Sequence, residues 1–238
     1  MKRIGFSTGA LALNDFCLAL RMLRQTQCDA VELSALRQAE LEPLIEAADS
    51  FDLRQFASIS FHAPSKIDTA FERRAVELLD RAAAKQWTIV VHPDAITDYS
   101  LWEHYGELLA IENMDKRKPI GRYLSELIPL FERLPDASFC FDIGHARQID
   151  PSMAEAGSIL REFQTRLKLL HISEVNTESK HDPLTLSAVL AFKKVTHLIP
   201  DNLSVIIESR VTEDQIPDEI EAVLDLFQTS ERKLLAGD

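Results

Sequence analysis

With 238 residues and 46% hydrophobic content, the chain can bury a full core as one domain over residues 1–238, a size at which both α/β barrels and large sandwiches form single units. Lys plus Arg number 26 against 38 Asp plus Glu, and the net charge of -12 opposes a polyanion or an acidic membrane surface, except where bound divalent ions reverse the sign locally. No apolar run reaches membrane-spanning length or forms a signal-peptide core, and Cys17, Cys28 and Cys140 include no C-x-x-C pair, so a soluble cytoplasmic protein with reduced thiols is expected.

In chain order, the first strand is predicted at 3–7. The Ser7-Thr8-Gly9-Ala10 that follows matches neither G-x-G-x-x-G nor a Walker-type loop, which counts against a doubly wound nucleotide-binding sheet. A helix over 15–24 carries Phe16, Leu18, Ala19, Leu20, Met22 and Leu23. Strand 30–34 and helix 41–49 come next, then strand 58–62 and a helix over 69–85 opening on a Thr69…Glu72 capping box. Strands at 88–92 and 108–113 are separated by a short helical segment, 99–106, with room for about two turns. The alternation continues through helix 121–133, strand 138–143, helix 152–164 with a Ser152…Glu155 capping box, strand 167–172, helix 184–196, strand 204–208 and helix 218–227. Eight strands alternating with helices, starting about 20 to 40 residues apart, predict an α/β fold, a parallel sheet closed as a compact (β/α)8 TIM barrel.

In such barrels the chemistry sits where strands end and βα loops begin. Six consecutive predicted strands end in His, Asp or Glu: His62, His92, Glu112, Asp142 followed by His145, His171 followed by Glu174, and Glu208 followed by Arg210. With a period of two, the residues below these are Ser60, Val90, Ala110, Cys140, Leu169 and Ile206, small or apolar as an inner barrel layer requires. The six groups should therefore point into one mouth. Bland alternatives exist: His62 before Ala-Pro and His92 before Pro also suit turns. Inward Glu112 and Glu208 are harder to explain, because a buried carboxylate is costly unless paired or metal-bound. Mixed oxygen and imidazole donors suit Zn, Mn, Co or Fe better than Ca. His181 lies in a polar loop able to swing over the mouth, Lys180 and Arg210 are candidate anion partners, and Glu32 either reaches the mouth or pairs with a neighbouring cation. His104 and His197 read as structural.

These strand ends resemble the xylose-isomerase-like barrel superfamily, which includes sugar isomerases and epimerases and the endonuclease IV group of AP endonucleases. The resemblance runs along nearly the whole chain in strand order. It implies a metal centre on Glu112, Asp142, His171 and Glu208, with His145 and Glu174 near substrate. The endonuclease IV pattern implies further ligands at His62, His92, His145 and His181, and one to three divalent ions per chain. The chain departs from that pattern at Ser179, where a D-x-H motif would carry another carboxylate, which puts the third ion in doubt.

Isomerisation or epimerisation of a small sugar or sugar phosphate, with Glu112 and Glu208 as an acid/base pair on a metal-polarised substrate, is the function expected first. The alternative is metal-dependent phosphoester hydrolysis of abasic-site DNA or a small phosphoester, with Glu112 bridging two ions; the net charge counts against DNA. A non-catalytic ligand-binding barrel is the third possibility, and leaves the inward carboxylates unexplained.

Overall fold

The computed structural model describes residues 2–227. Eight strands pair only in parallel and close on one another, and they are numbered β1–β8 in chain order: Arg3–Ser7, Ala30–Ser34, Ser58–His62, Thr88–Val91, Leu109–Glu112, Ser138–Asp142, Leu167–Ile172 and Ser204–Ile207. Closure joins β1 to β8, with Arg3 opposite Ser204 and Phe6 opposite Ile207. The (β/α)8 barrel is thus the observed architecture, and every predicted strand is present to within two residues at either end.

Strand alternation builds two separate apolar layers. Ala30, Val90, Ala110, Cys140, Leu169 and Ile206 form a small cluster of their own inside the barrel. Residues of opposite parity, among them Ile89, Ile111, Phe139, Phe141, Leu170 and Val205, face outward into the larger core shared with the helices. Burial on both faces explains why these strands read as continuous apolar runs. Small and aliphatic residues fill the middle of the barrel, with a hydrogen bond of 2.8 Å from Ser204 to Ser58 below them, and the charged groups stand in the layer above.

The helical layer follows the predicted order, with local corrections. Its α-helices are α1 (Thr8–Ala12), α2 (Phe16–Leu23), α3 (Gln38–Ala48), α4 (Glu72–Ala84), α5 (Leu124–Arg133), α6 (Ile143–Ile149), α7 (Ala154–Glu162), α8 (Leu186–Phe192) and α9 (Ile216–Phe227). The Thr69…Glu72 capping box does not form. Phe71 caps α4, and the Glu72 carboxylate instead accepts from Thr97 N (2.7 Å), Asp98 N (3.1 Å) and Trp102 Nε1 (2.9 Å). Nor does Ser152…Glu155: Met153, at φ 67°, caps α7, while Glu155 accepts from Leu124 N at 2.6 Å on α5. In both cases a tertiary amide outcompetes the local one. The connection between β4 and β5 contains 3-10 turns, Pro93–Ala95, Tyr99–Leu101 and Glu103–Leu108, rather than two α-helical turns, with Gly106 at φ 51° breaking the run. Glu72 gathers that irregular segment and compensates for its missing helix.

Three features were not predicted. A short helix, α1, follows β1 directly, where no helix was expected before residue 15. Short helix α6 starts directly on the β6 strand end, and a two-stranded antiparallel hairpin, Glu174–Val175 with His181–Asp182, stands after β7. Among the described residues no helix is long and apolar enough to cross a membrane.

Candidate metal centre

Glu112, at the end of β5 and 1% exposed, is the centre of the mouth. Its Oε2 lies 3.0 Å from His62 Nε2 and 3.2 Å from His92 Nε2, and its Oε1 lies 3.4 Å from both His145 Nδ1 and His171 Nδ1. Each carboxylate oxygen thus faces its own pair of imidazoles. Parallel strands with the predicted parity bring these five residues together from β3 to β7.

Backbone carbonyls and carboxylates fix several imidazole tautomers, since such oxygens can only accept. His62 Nδ1 donates to Ala63 O at 2.7 Å, His145 Nδ1 to Asn113 O at 3.0 Å, and His171 Nε2 to Glu32 Oε2 at 3.2 Å. His62 Nε2 meets Glu112 Oε2 at 3.0 Å, and His145 Nε2 and His171 Nδ1 make no hydrogen bond among the described residues. Asp142 caps α6 by accepting from His145 N at 2.6 Å through Oδ1, and its Oδ2 stays unpartnered. Asn113 holds this corner in place, accepting from Asp142 N and donating to Asp142 O, each at 2.8 Å. Gly144 is required here: a Cβ would stand 2.5 Å from Ser173 O on the neighbouring strand end.

Four groupings place one ligand atom per residue within 4.8 Å of one another: His62, His92 and Glu112; Glu112, Asp142, His171 and Glu208; Asp142, His145 and His181; and Glu32, His62, His171 and Glu208. Among the described residues, the buried side-chain atoms without a hydrogen-bond partner are Glu32 Oε1, His92 Nδ1, Asp142 Oδ2 and His171 Nδ1. An orphaned buried polar atom costs about 1–3 kcal/mol. All four belong to these groupings, and a mixed nitrogen and oxygen donor set is what a Zn, Mn, Co or Fe ion takes. The residues therefore fit a divalent ion.

Charge in the mouth is balanced by protons in the metal-free protein. Burial pushes Glu112 up, but the charge of His171 and the His62 and His92 imidazoles beside it outweigh this and hold the carboxyl well below its ordinary value. Burial pulls His62 down, yet its hydrogen bond to Glu112 and the charges of Glu32 and Glu112 raise it to about 9. Glu208 is pushed up to about 8 by burial, opposed by His171 and reinforced by the charges of Glu112, Asp142 and Glu32. These protons are the ones a cation would displace on binding.

The structure assembles His62, His92, Glu112, Asp142, His171 and Glu208 at one place, as their strand positions predict, and adds His145 from α6 and His181 from the hairpin. Arg210 lines the same cavity, which has an open volume of about 140 Å³. Glu174 and Lys180 are not brought to it. Glu174 accepts from Arg147 Nη1 (2.8 Å) and Thr185 N (3.1 Å), and Lys180 pairs with Glu178 at 2.6 Å on the exposed hairpin. Ser179 is 3% exposed but engaged with Gln148, accepting from its Nε2 at 2.9 Å and donating to its Oε1 at 3.2 Å.

Sequence reasoning left Glu32 open and missed the loop after β5. Glu32 is fully buried, directly above the inner-layer Ala30, and its parity was the available signal. Asp115, 2% exposed, lies 3.9 Å from His145 Nε2 and pairs with Arg117, while Lys118 Nζ bonds Ser65 O at 2.7 Å and Asp94 Oδ1 at 2.8 Å. Those residues sit in a loop whose path no periodicity encodes. The cavity rim is thereby supplied with two cations already paired to acids.

Neither a family model nor a curated protein matches the sequence. Solved structures do share its fold. Endonuclease IV from Thermus thermophilus is 16% identical with a TM-score of 0.61, the alignment covering 94% of this chain and 97% of that one. The IolI protein with a bound zinc atom is 12% identical with a TM-score of 0.64, covering 95% and 98%. YcjR, a 3-keto-D-glucoside 4-epimerase from E. coli, is 13% identical with a TM-score of 0.59, covering 95% and 99%.

Proposed function

The chain has the xylose-isomerase-like TIM-barrel fold, and from that premise we propose that it is a metal-dependent hydrolase of a small phosphoester. The observation that carries this is the placement of Glu112, whose two oxygens stand between separate sets of imidazoles at 3.0–3.2 Å and 3.4 Å. A centre for one ion needs Glu112, Asp142, His171 and Glu208 and leaves His62 and His92 without a role. With two ions, His62 and His92 would hold one together with Glu112, and Asp142, His171 and Glu208 would hold the other, with His145 and His181 beside them.

Divalent ions held there supply Lewis-acid stabilisation of a phosphoryl oxygen and a nucleophilic water at neutral pH. The chain's own residues do the rest. Glu112 and Asp142 supply the shared carboxylates that hold positive charge in an otherwise apolar barrel. Arg210 lines the cavity and offers a guanidinium to a phosphoryl group. A net charge of -12 and a cavity of about 140 Å³ favour a small substrate over a duplex.

A second reading, sugar isomerisation or epimerisation on a single ion, is favoured by Glu208. Its side chain is 14% exposed and lines the cavity, where it can meet a substrate as an acid/base partner of Glu112. Metal analysis of the protein and of His92→Ala, with parallel assays on phosphoesters, abasic-site DNA, sugars and sugar phosphates, separates the two. More than one ion per chain, one of them lost in His92→Ala together with phosphoester turnover, is expected. A single ion unaffected by His92→Ala, with sugar turnover, overturns the hydrolase in favour of the isomerase.

A further inference from the structure

Glu32 is a carboxylate at the bottom of the site with no contact to solvent, and the proposed chemistry does not use it. Its Oε2 accepts from His171 Nε2 at 3.2 Å and from Ser60 Oγ at 2.9 Å, while its Oε1 has no partner in the protein. Ser60 is its register neighbour on β3, so the hydroxyl is delivered by strand pairing itself. Both Glu32 and His171 are 0% exposed.

The two nitrogens of an imidazole point away from each other, and His171 has one on each side of this arrangement. Nε2 faces Glu32. Nδ1 has no hydrogen-bond partner and faces Glu112 Oε1 at 3.4 Å and Glu208 Oε1 at 3.6 Å. Because a carboxylate only accepts, the Nε2 proton is held by Glu32, and Nδ1 is the nitrogen that could give a lone pair to a cation in exchange for its own proton. Glu32 thus lies behind His171 as seen from Glu112, Asp142 and Glu208.

We infer that Glu32 is a positioning residue for the metal centre, orienting His171 and setting its tautomer by a carboxylate–imidazole hydrogen bond, with Ser60 holding the carboxylate. The inference rests on the metal-centre reading and holds for the hydrolase and the isomerase alike. Negative charge behind the ring also makes Nδ1 a stronger donor to a cation, and removing such a partner characteristically weakens metal binding about 10- to 100-fold. The grouping of Glu32 with His62, His171 and Glu208 offers the competing role, in which Glu32 is itself a ligand.

Three proteins test it as full chains: wild type, Glu32→Gln, which keeps an acceptor but loses the charge, and Glu32→Asp, which keeps the charge but withdraws it from His171. Each is stripped by a chelator, checked by circular dichroism and titrated with Co²⁺ against a chromophoric competitor, following stoichiometry and the visible absorption bands. The expected result is unchanged stoichiometry at saturation, an affinity for one ion lowered about 10- to 100-fold in both variants, and shifted Co²⁺ bands. Wild-type affinity and bands in a folded variant would make Glu32 structural only. Complete loss of one ion at saturating Co²⁺ in either variant would make it a ligand; both outcomes overturn the inference. If either substitution prevents folding, the other decides. Failure of the wild type to bind Co²⁺ is a separate result, and removes the metal-centre reading with everything built on it.

Discussion

Glu72 and Glu112 are buried to almost the same extent, at 2% and 1% exposure, and they are finished in opposite ways. Glu72 lies outside the barrel, where Thr97 N, Asp98 N and Trp102 Nε1 donate to it and the Thr97 hydroxyl does too. These donors are fixed and cannot leave. Glu112 lies inside the mouth, and the groups facing it are imidazoles whose protons are exchangeable for a cation, next to an unpartnered His171 Nδ1 and Asp142 Oδ2. Complete satisfaction by permanent donors marks scaffold, whereas satisfaction by exchangeable protons, with orphans alongside, marks a place built for something else. Ser209 and Leu184, which donate to Glu219 from a hydroxyl and an amide, belong with Glu72 by the same criterion.

The largest effect should come from breaking the contrast at Glu112. Glu112→Gln is expected to lower phosphoester turnover by about a thousandfold, the upper end of what one charge-stabilising group supplies, and to reduce the bound ions per chain. The fold should survive, because the described hydrogen bonds to this carboxylate come from side chains and not from backbone amides. Rate measurements with metal analysis and circular dichroism check it. Full turnover and full metal content would place Glu112 on the scaffold side.

Glu72→Ala should do the reverse, leaving metal content intact and lowering stability. The buried Trp102 Nε1 and the amides of the exposed Thr97 and Asp98 would lose their acceptor, a cost of about 2–3 kcal/mol, or roughly 5–10 °C in melting temperature for a chain of this size. The pH dependence has a definite sign. Burial raises the Glu72 carboxyl, but hydrogen bonds from Thr97, Trp102 and Asp98 hold it below the ordinary 4.5. A lowered folded value means that the unfolded chain binds more protons below pH 4.5. The stability is therefore present above that pH and is lost as pH falls through the folded value. The gap between wild type and Glu72→Ala should narrow on acidification below about 4.5, measured by thermal unfolding across pH. A gap independent of pH would mean that the carboxylate charge does not matter there.

Much of this was legible because strands repeat every two residues. The barrel, its inner layer and the convergence of His62, His92, Glu112, Asp142, His171 and Glu208 all follow from parity, and parity survives folding. Capping boxes did not: Thr69…Glu72 and Ser152…Glu155 are local patterns whose Glu side chains were captured by amides from other elements. Glu174 was expected near substrate from the family resemblance, and Lys180 as an anion partner from its charge. The hairpin after β7 turns Lys180 outward to Glu178, while Arg147 on α6 takes Glu174. Glu32 was readable by parity, but whether it met a cation or a ligand depended on His171, 139 residues away.

The smallest effect sharpens the contrast furthest, because Ser179 sits where sequence pattern assigns a ligand and hydrogen bonding assigns scaffold. Its φ of 55° and its two bonds to Gln148 fasten the hairpin loop to α6, and Gln148 also holds Asn176 O at 2.6 Å and Lys116 N at 3.1 Å. Ser179→Ala removes one hydroxyl, but both Gln148 groups keep another partner, so nothing buried is stranded. The expected cost is about 1 kcal/mol, a fall of roughly 2–4 °C in melting temperature. Metal stoichiometry and affinity should be those of the wild type, since Asp142, His145 and His181 do not bond to Ser179. Thermal unfolding paired with Co²⁺ titration reads both quantities on one sample. A variant that melts like the wild type but binds fewer ions would put the Ser179 hydroxyl in the metal centre, and complete hydrogen bonding would then no longer separate scaffold from site.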